Sequence, residues 1–170
     1  EDVYNEYLNE KYSRSEFYSY VPEEELSSVL QREISEESLP EIFSRIDERL
    51  GKRKLDLIVG GPPCQAYSLA GRSRSKTKMR GDKRNYLYKL YAEFLKRYTP
   101  KFFVFENVTG LLSAKDEDGK PHFRKMRDLF CECGYSTNYD VLNAKDYGVL
   151  QNRKRIILVG KRNGEENYYP

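Results

Sequence analysis

The run Leu55-Asp56-Leu57-Ile58-Val59-Gly60-Gly61-Pro62-Pro63-Cys64 constrains the fold more than any other stretch of the 170-residue chain. A short apolar segment closed by turn residues reads as a buried strand of a parallel sheet. The two glycines permit close backbone approach, while the two prolines stop the strand and stiffen the turn after it. Cys64 is thereby held on a rigid turn at the carboxyl edge of a strand. In open α/β sheets ligands bind beyond those edges.

The remaining chain alternates helical and extended patterns. Ser38-Leu39-Pro40-Glu41 has the form of a capping box, and Leu39, Ile42, Phe43, Ile46 and Leu50 then recur at helical spacing up to Gly51. Leu87, Leu90, Tyr91, Phe94, Leu95 and Tyr98 predict a second helix, capped by Asn85 and ended by Thr99-Pro100. Phe102 to Phe105 predicts a strand with Glu106-Asn107 after its end. Phe123, Met126, Phe130 and Cys133 predict a helix stopping at Gly134, and Tyr139–Leu142 and Ile156–Val159 predict two more strands. This order predicts an α/β fold with a largely parallel sheet. An acidic, helical or irregular segment over residues 1–37 would precede a core over residues 38–165.

Charge divides the chain unevenly. Residues 1–50 carry 5 Lys+Arg against 14 Asp+Glu, whereas residues 51–170 carry 25 against 13. The second part is suited to a polyanion. Its basic residues concentrate in the loop Leu69–Lys83, which contains Gly71 and Gly81, as Arg72, Arg74, Lys76, Lys78, Arg80 and Lys83. Such a run is commonly a solvated face, but immediately after Cys64 it reads as a lid closing over phosphates. Three cysteines without framework spacing point to a reducing, cytoplasmic compartment. Cys131 and Cys133 complete no zinc-binding set.

If the strands ending at Cys64 and Glu106 are neighbours, both side chains face one crevice. A cysteine hydrolase would also need a histidine base, and the chain has only His122. A cysteine, a carboxyl group and the arginines Arg153 and Arg155 suit a different reaction, nucleophilic addition to an electron-poor ring. The thiolate attacks a ring carbon, the carboxyl donates to a ring nitrogen, and an arginine holds an exocyclic oxygen. At an apolar strand end Glu106 is expected to be desolvated, which favours its proton-bearing form.

These residues carry a family resemblance. Pro62-Pro63-Cys64-Gln65 with Tyr67-Ser68 resembles the catalytic motif of the DNA cytosine-5 methyltransferases, Phe105-Glu106-Asn107-Val108 their Glu-Asn-Val motif, and Gln151-x-Arg153-x-Arg155 their Gln-x-Arg-x-Arg motif. Asn143-Ala144-x-x-Tyr147-Gly148-Val149 extends the likeness, which covers roughly residues 51–160. It implies a partial Rossmann-like methyltransferase fold with an antiparallel last strand. It also implies that Cys64 attacks C6 of a cytosine flipped from duplex DNA, that Glu106 contacts N3 and Arg155 O2, and that Arg153 supports the site. S-adenosylmethionine is the implied cofactor, with Leu87 and Pro63 lining its pocket and Glu33 the candidate for its adenine. Gln65, Ser68 and the loop cations Arg72, Arg74, Lys76, Lys78 and Arg80 are the implied DNA contacts, and no metal is implied.

The chain departs from the family pattern in having no Gly-x-Gly anywhere, so the glycine-rich cofactor motif is absent. The target-recognition region and the final Asn motif are absent as well. The expectation is a fragment, the middle of a larger bacterial restriction–modification enzyme, whose missing part is on the same polypeptide or a separate chain. Two alternatives stand beside it. One is a tRNA-methylating relative with the same motifs, and the other is a non-catalytic DNA-binding remnant.

Overall fold

The computed structural model describes residues 2–63, 87–116 and 119–164. They form two compact units, residues 1–49 and 50–170. Among the described residues no helix is long and apolar enough to cross a membrane.

The first unit contains α1 (Asp2–Leu8), α2 (Arg14–Ser19), α3 (Glu23–Leu26) and nearly all of α4 (Leu39–Leu50). The first three helices bury no residue. Aromatic contacts tie α1 to α2, with Phe17 stacked on Tyr7 at 4.7 Å. A capping box does occur here, at Ser13: its hydroxyl accepts from the Glu16 N–H, and the Glu16 carboxylate accepts from the Ser13 N–H at 2.8 Å. The box expected at Ser38 does not form. The Ser38 hydroxyl instead donates to the Glu33 carbonyl at 2.6 Å, and Glu41 is held by the Arg32 guanidinium at 3.0–3.2 Å. A two-pronged charged pair outcompetes a carboxylate-to-amide bond.

The second unit is built on a four-stranded sheet, β1 (Leu57–Gly60), β2 (Phe102–Val108), β3 (Tyr135–Asn143) and β4 (Lys154–Arg162), in the order β1-β2-β4-β3. β1 and β2 are parallel, and β4 is antiparallel to both of its neighbours. Three strands therefore share one direction, and the last strand is inserted between β2 and β3 against it. β2 runs on through Glu106 and Asn107, which the sequence places beyond its end. Pairing with β4 continues to Val108↔Arg155 and so satisfies those backbone groups.

Alternation decides what each strand buries. Phe103, Phe105 and Asn107 of β2 and Ile156 and Leu158 of β4 are at most 1% exposed, and they face α5 (Leu87–Tyr98) and α6 (His122–Glu132). α5 contributes Tyr88, Ala92 and Leu95, and α6 contributes Phe123, Met126 and Phe130. Each set falls on one helical stripe. Tyr91 meets Phe105 edge-on at 5.3 Å and donates its hydroxyl to the Val104 carbonyl at 3.1 Å. Burial pushes its phenol well above the ordinary tyrosine range. The opposite row, which includes Leu57, Val59, Glu106 and Arg155, is partly or fully exposed.

His122, the first residue of α6, is 2% exposed. Burial lowers its ionisation below the ordinary 6.5; the carboxylate of Asp116 opposes this, and the ammonium of Lys125 adds to it. A group that the fold keeps neutral gives its full stability above the unfolded value, and that stability declines as pH falls through it. Asp116 is shifted downward, chiefly by its bond to Lys125, so its own contribution is lost only in stronger acid. The urea midpoint is therefore expected to fall between about pH 7.5 and pH 5.5, and His122→Gln should flatten that interval. An equal fall in the variant would assign the effect to another group.

Candidate active site

The carboxyl ends of β1 and β2 lie side by side because the two strands pair in parallel, with Gly60 opposite Phe105. The residue after β1, Gly61, is pressed against the Glu106 backbone: a Cβ there would overlap the Glu106 carbonyl oxygen. Only glycine allows this approach without displacing one strand end. Beyond it, the buried Asn107 amide donates to the Pro62 carbonyl at 3.2 Å, and its oxygen accepts from the Val108 N–H at 2.9 Å. The turn entering Cys64 is thus fastened to the strand that carries Glu106.

On the partly exposed row Glu106 meets Arg155, whose Nε lies 2.8 Å from the carboxylate. Register explains the pair. Val108 is opposite Arg155 and Glu106 is opposite Ile157, so the two side chains are diagonal neighbours on one sheet face. Arg155 also donates through Nη1 to the Lys154 carbonyl at 2.8 Å. The Glu106 side chain is 45% exposed, so the desolvation expected from an apolar strand does not occur. That row carries Arg155 and opens away from the helices.

Arg153 is exposed, and its backbone N–H is bound by the Asn143 side chain at 3.0 Å. Pro63 is exposed beyond β1, and Leu87 is half-buried at the start of α5. Glu33 is exposed in the first unit. Cys64, Gln65, Ser68, Arg72, Arg74, Lys76, Lys78 and Arg80 lie outside the described residues. Among the described residues no cluster of His, Cys, Asp or Glu could hold a metal.

The close approach expected of the glycines is met at Gly61, but sequence reading assigned no role to the amides of Asn107 and Asn143. A signal existed: asparagine is depleted in strands, so one inside Phe-Phe-Val-Phe-Glu-Asn-Val and another ending a strand needed a reason to be there. Chemically, the strand ends offer a carboxyl group that can exchange a proton with a ring nitrogen. Beside it is a guanidinium that can bind an exocyclic oxygen.

The family model for C-5 cytosine-specific DNA methylases matches residues 18–170. The Type II methyltransferase M.Bpa9945I of Bacillus paralicheniformis is 44% identical over 124 residues, covering 68% of this chain and 27% of that protein. The Type II methyltransferase M1.HphI of Haemophilus parahaemolyticus is 37% identical over 142 residues, covering 84% and 36%. The chain thus spans about a quarter to a third of these curated relatives. Among solved structures, a prophage-encoded DNA modification methyltransferase of E. coli aligns with a TM-score of 0.53 at 26% identity, covering 78% of this chain and 33% of that one. The methyltransferase EhMeth of Entamoeba histolytica shares the fold, with a TM-score of 0.55 at 20% identity, covering 83% and 40%.

Proposed function

The chain belongs to the C-5 cytosine-specific DNA methylase family, and on that premise we propose that it forms the base-binding half of an enzyme that methylates C5 of cytosine in duplex DNA, acting in restriction–modification. The observation that carries this reading is the Glu106–Arg155 pair at 2.8 Å, beside the turn that leads into Cys64. The Cys64 thiolate adds to C6 of an extruded cytosine, and the electron pair of the C5–C6 double bond moves into the ring. Glu106 delivers a proton to N3 and Arg155 donates to O2, so the added charge does not remain on the base. C5 becomes nucleophilic. After it has been methylated C5 gives its proton to solvent, that electron pair re-forms the C5–C6 double bond as the C6–S bond breaks and the thiolate leaves, and N3 returns its proton to Glu106.

The donor is S-adenosylmethionine, which supplies the methyl group when bound. Pro63, exposed past β1, and Leu87, half-buried at the head of α5, give the carboxyl edge apolar residues that suit the methyl group of a sulfonium. They would hold its reactive end. Gln65, Ser68 and the cations from Arg72 to Arg80 are proposed to grip the DNA backbone, which offsets the cost of extruding the base.

Incubating the protein as made in the cell with S-adenosylmethionine and a duplex containing 5-fluorocytosine tests this reading. Fluorine blocks loss of the C5 substituent, so a covalent adduct that survives denaturation is expected. No adduct on DNA, or trapping of tRNA in its place, would overturn it. Glu106→Gln keeps the side-chain shape but removes the transferable proton, and a loss of about a hundredfold in kcat is expected. Unchanged single-turnover rates would remove Glu106 from the proton path.

A further inference from the structure

Four polar side chains are buried among the described residues, and one of them, Asn143, stands 6% exposed at the last position of β3. Both ends of its amide are used. Its Oδ1 accepts from the Arg153 N–H at 3.0 Å, and its Nδ2 donates to the Asn152 Oδ1 at 3.0 Å. The Ala144 N–H closes the same clasp on the Arg153 carbonyl at 3.0 Å.

This clasp sits where the register of β4 begins. Asn143 is opposite Lys154 and Leu142 opposite Arg155, so Arg153 lies just outside the ladder and its N–H is met by a side chain. The connection from Ala144 to Asn152 has little packing to fix it: Tyr147, Val149 and Leu150 are 66%, 50% and 107% exposed. A slip of one residue would turn Arg155 from the row shared with Glu106 to the face covered by the helices.

We propose that Asn143 is a positioning residue that fixes the start of β4 and thereby aims Arg155 at Glu106 and at the exocyclic oxygen of the bound base. This rests on the function proposed above. Asn143 touches no reacting atom; it acts through the backbone of Arg153. A small misplacement of a group that must meet the reacting base costs rate more than binding.

The test compares Asn143→Ala with Asn143→Asp in the protein as made in the cell, using plain duplex DNA for kinetics and the 5-fluorocytosine duplex for trapping. Asn143→Ala should lower kcat by about 10- to 100-fold while KM for DNA moves by less than about threefold. Asn143→Asp keeps an oxygen for the Arg153 N–H and should recover most of the loss. Arg155→Ala combined with Asn143→Ala should be no slower than Arg155→Ala alone, since both act through one side chain. Independent multiplication of the two losses, or an aspartate variant as slow as the alanine one, overturns the proposal.

A second readout needs no turnover. The Arg155 Nε–H, held by the Glu106 carboxylate, should give an exchange-protected NMR resonance that vanishes in Asn143→Ala and persists in Asn143→Asp. Its persistence in a folded alanine variant overturns the positioning role. If that variant fails to fold, loss of the resonance in a folded Asn143→Asp does so instead. If the wild type gives no DNA adduct, the functional reading has failed while this resonance still decides the placement.

Discussion

Cys64→Ser is expected to abolish the covalent adduct with 5-fluorocytosine DNA and to lower turnover by more than about 10⁴-fold, because a hydroxyl has no route to the alkoxide here. A thiol with an ordinary pKa of about 8.5 supplies some thiolate near neutrality without help, and nearby cations raise that fraction. A serine needs a general base. The single histidine of the chain is His122, at 2% exposure within α6, so it cannot take a proton at the crevice. Glu106 is engaged by Arg155 at 2.8 Å and is assigned to the ring nitrogen. DNA affinity should stay within about threefold of wild type, since phosphate contacts carry most of it. A serine variant that still trapped DNA would remove Cys64 from the nucleophile's role, whatever its effect on overall rate.

That prediction is legible in the sequence because local chemistry dictates it. Apolar residues closed by Gly-Gly-Pro-Pro read as a strand stopped at a turn, and β1 does end at Gly60, but it is not the buried strand its apolar run implies, since Leu57 and Val59 are 48% and 68% exposed. α4 and α5 also fall where their apolar spacing puts them, at Leu39–Leu50 and Leu87–Tyr98. The misreadings share a cause, which is dependence on a partner distant in sequence. Ser38 and Glu41 satisfy the local rule for a capping box, yet Arg32, nine positions before Glu41, takes the carboxylate. Tyr135–Asn143 is one strand although only its apolar end shows a pattern, because pairing with β4 supplies the remainder. Glu106 looks desolvated when read along β2 alone. It is half exposed because alternation puts it on the row facing away from the helices, and the register of β4 brings it Arg155. The same register depends on the Asn143 amide, which no pattern of hydrophobicity encodes.

Gly160→Ala is expected to destabilise the second unit by about 3 kcal/mol or more. Gly160 is opposite Phe103 in the ladder between β4 and β2, and a Cβ at this position would overlap the Phe103 ring. The ring has nowhere to go. Phe103 is 0% exposed and is met by Phe130 at 5.0 Å, Tyr135 at 5.3 Å and Tyr91 at 5.8 Å. The added carbon must therefore push β4 away from β2 or force Phe103 off its rotamer, and either breaks dense packing. Phe103→Leu alone should cost about 1–2 kcal/mol through the space it leaves. Combined with Gly160→Ala it should cost less than the sum, because the smaller side chain yields the volume that the methyl group needs. Urea titrations of the two single variants and the double variant measure this, and strict additivity would refute the collision. The consequence reaches the chemistry along the same strand: Arg155 lies five residues before Gly160 on β4, so folded Gly160→Ala protein should also lose the protected Arg155 Nε–H resonance that reports its placement against Glu106.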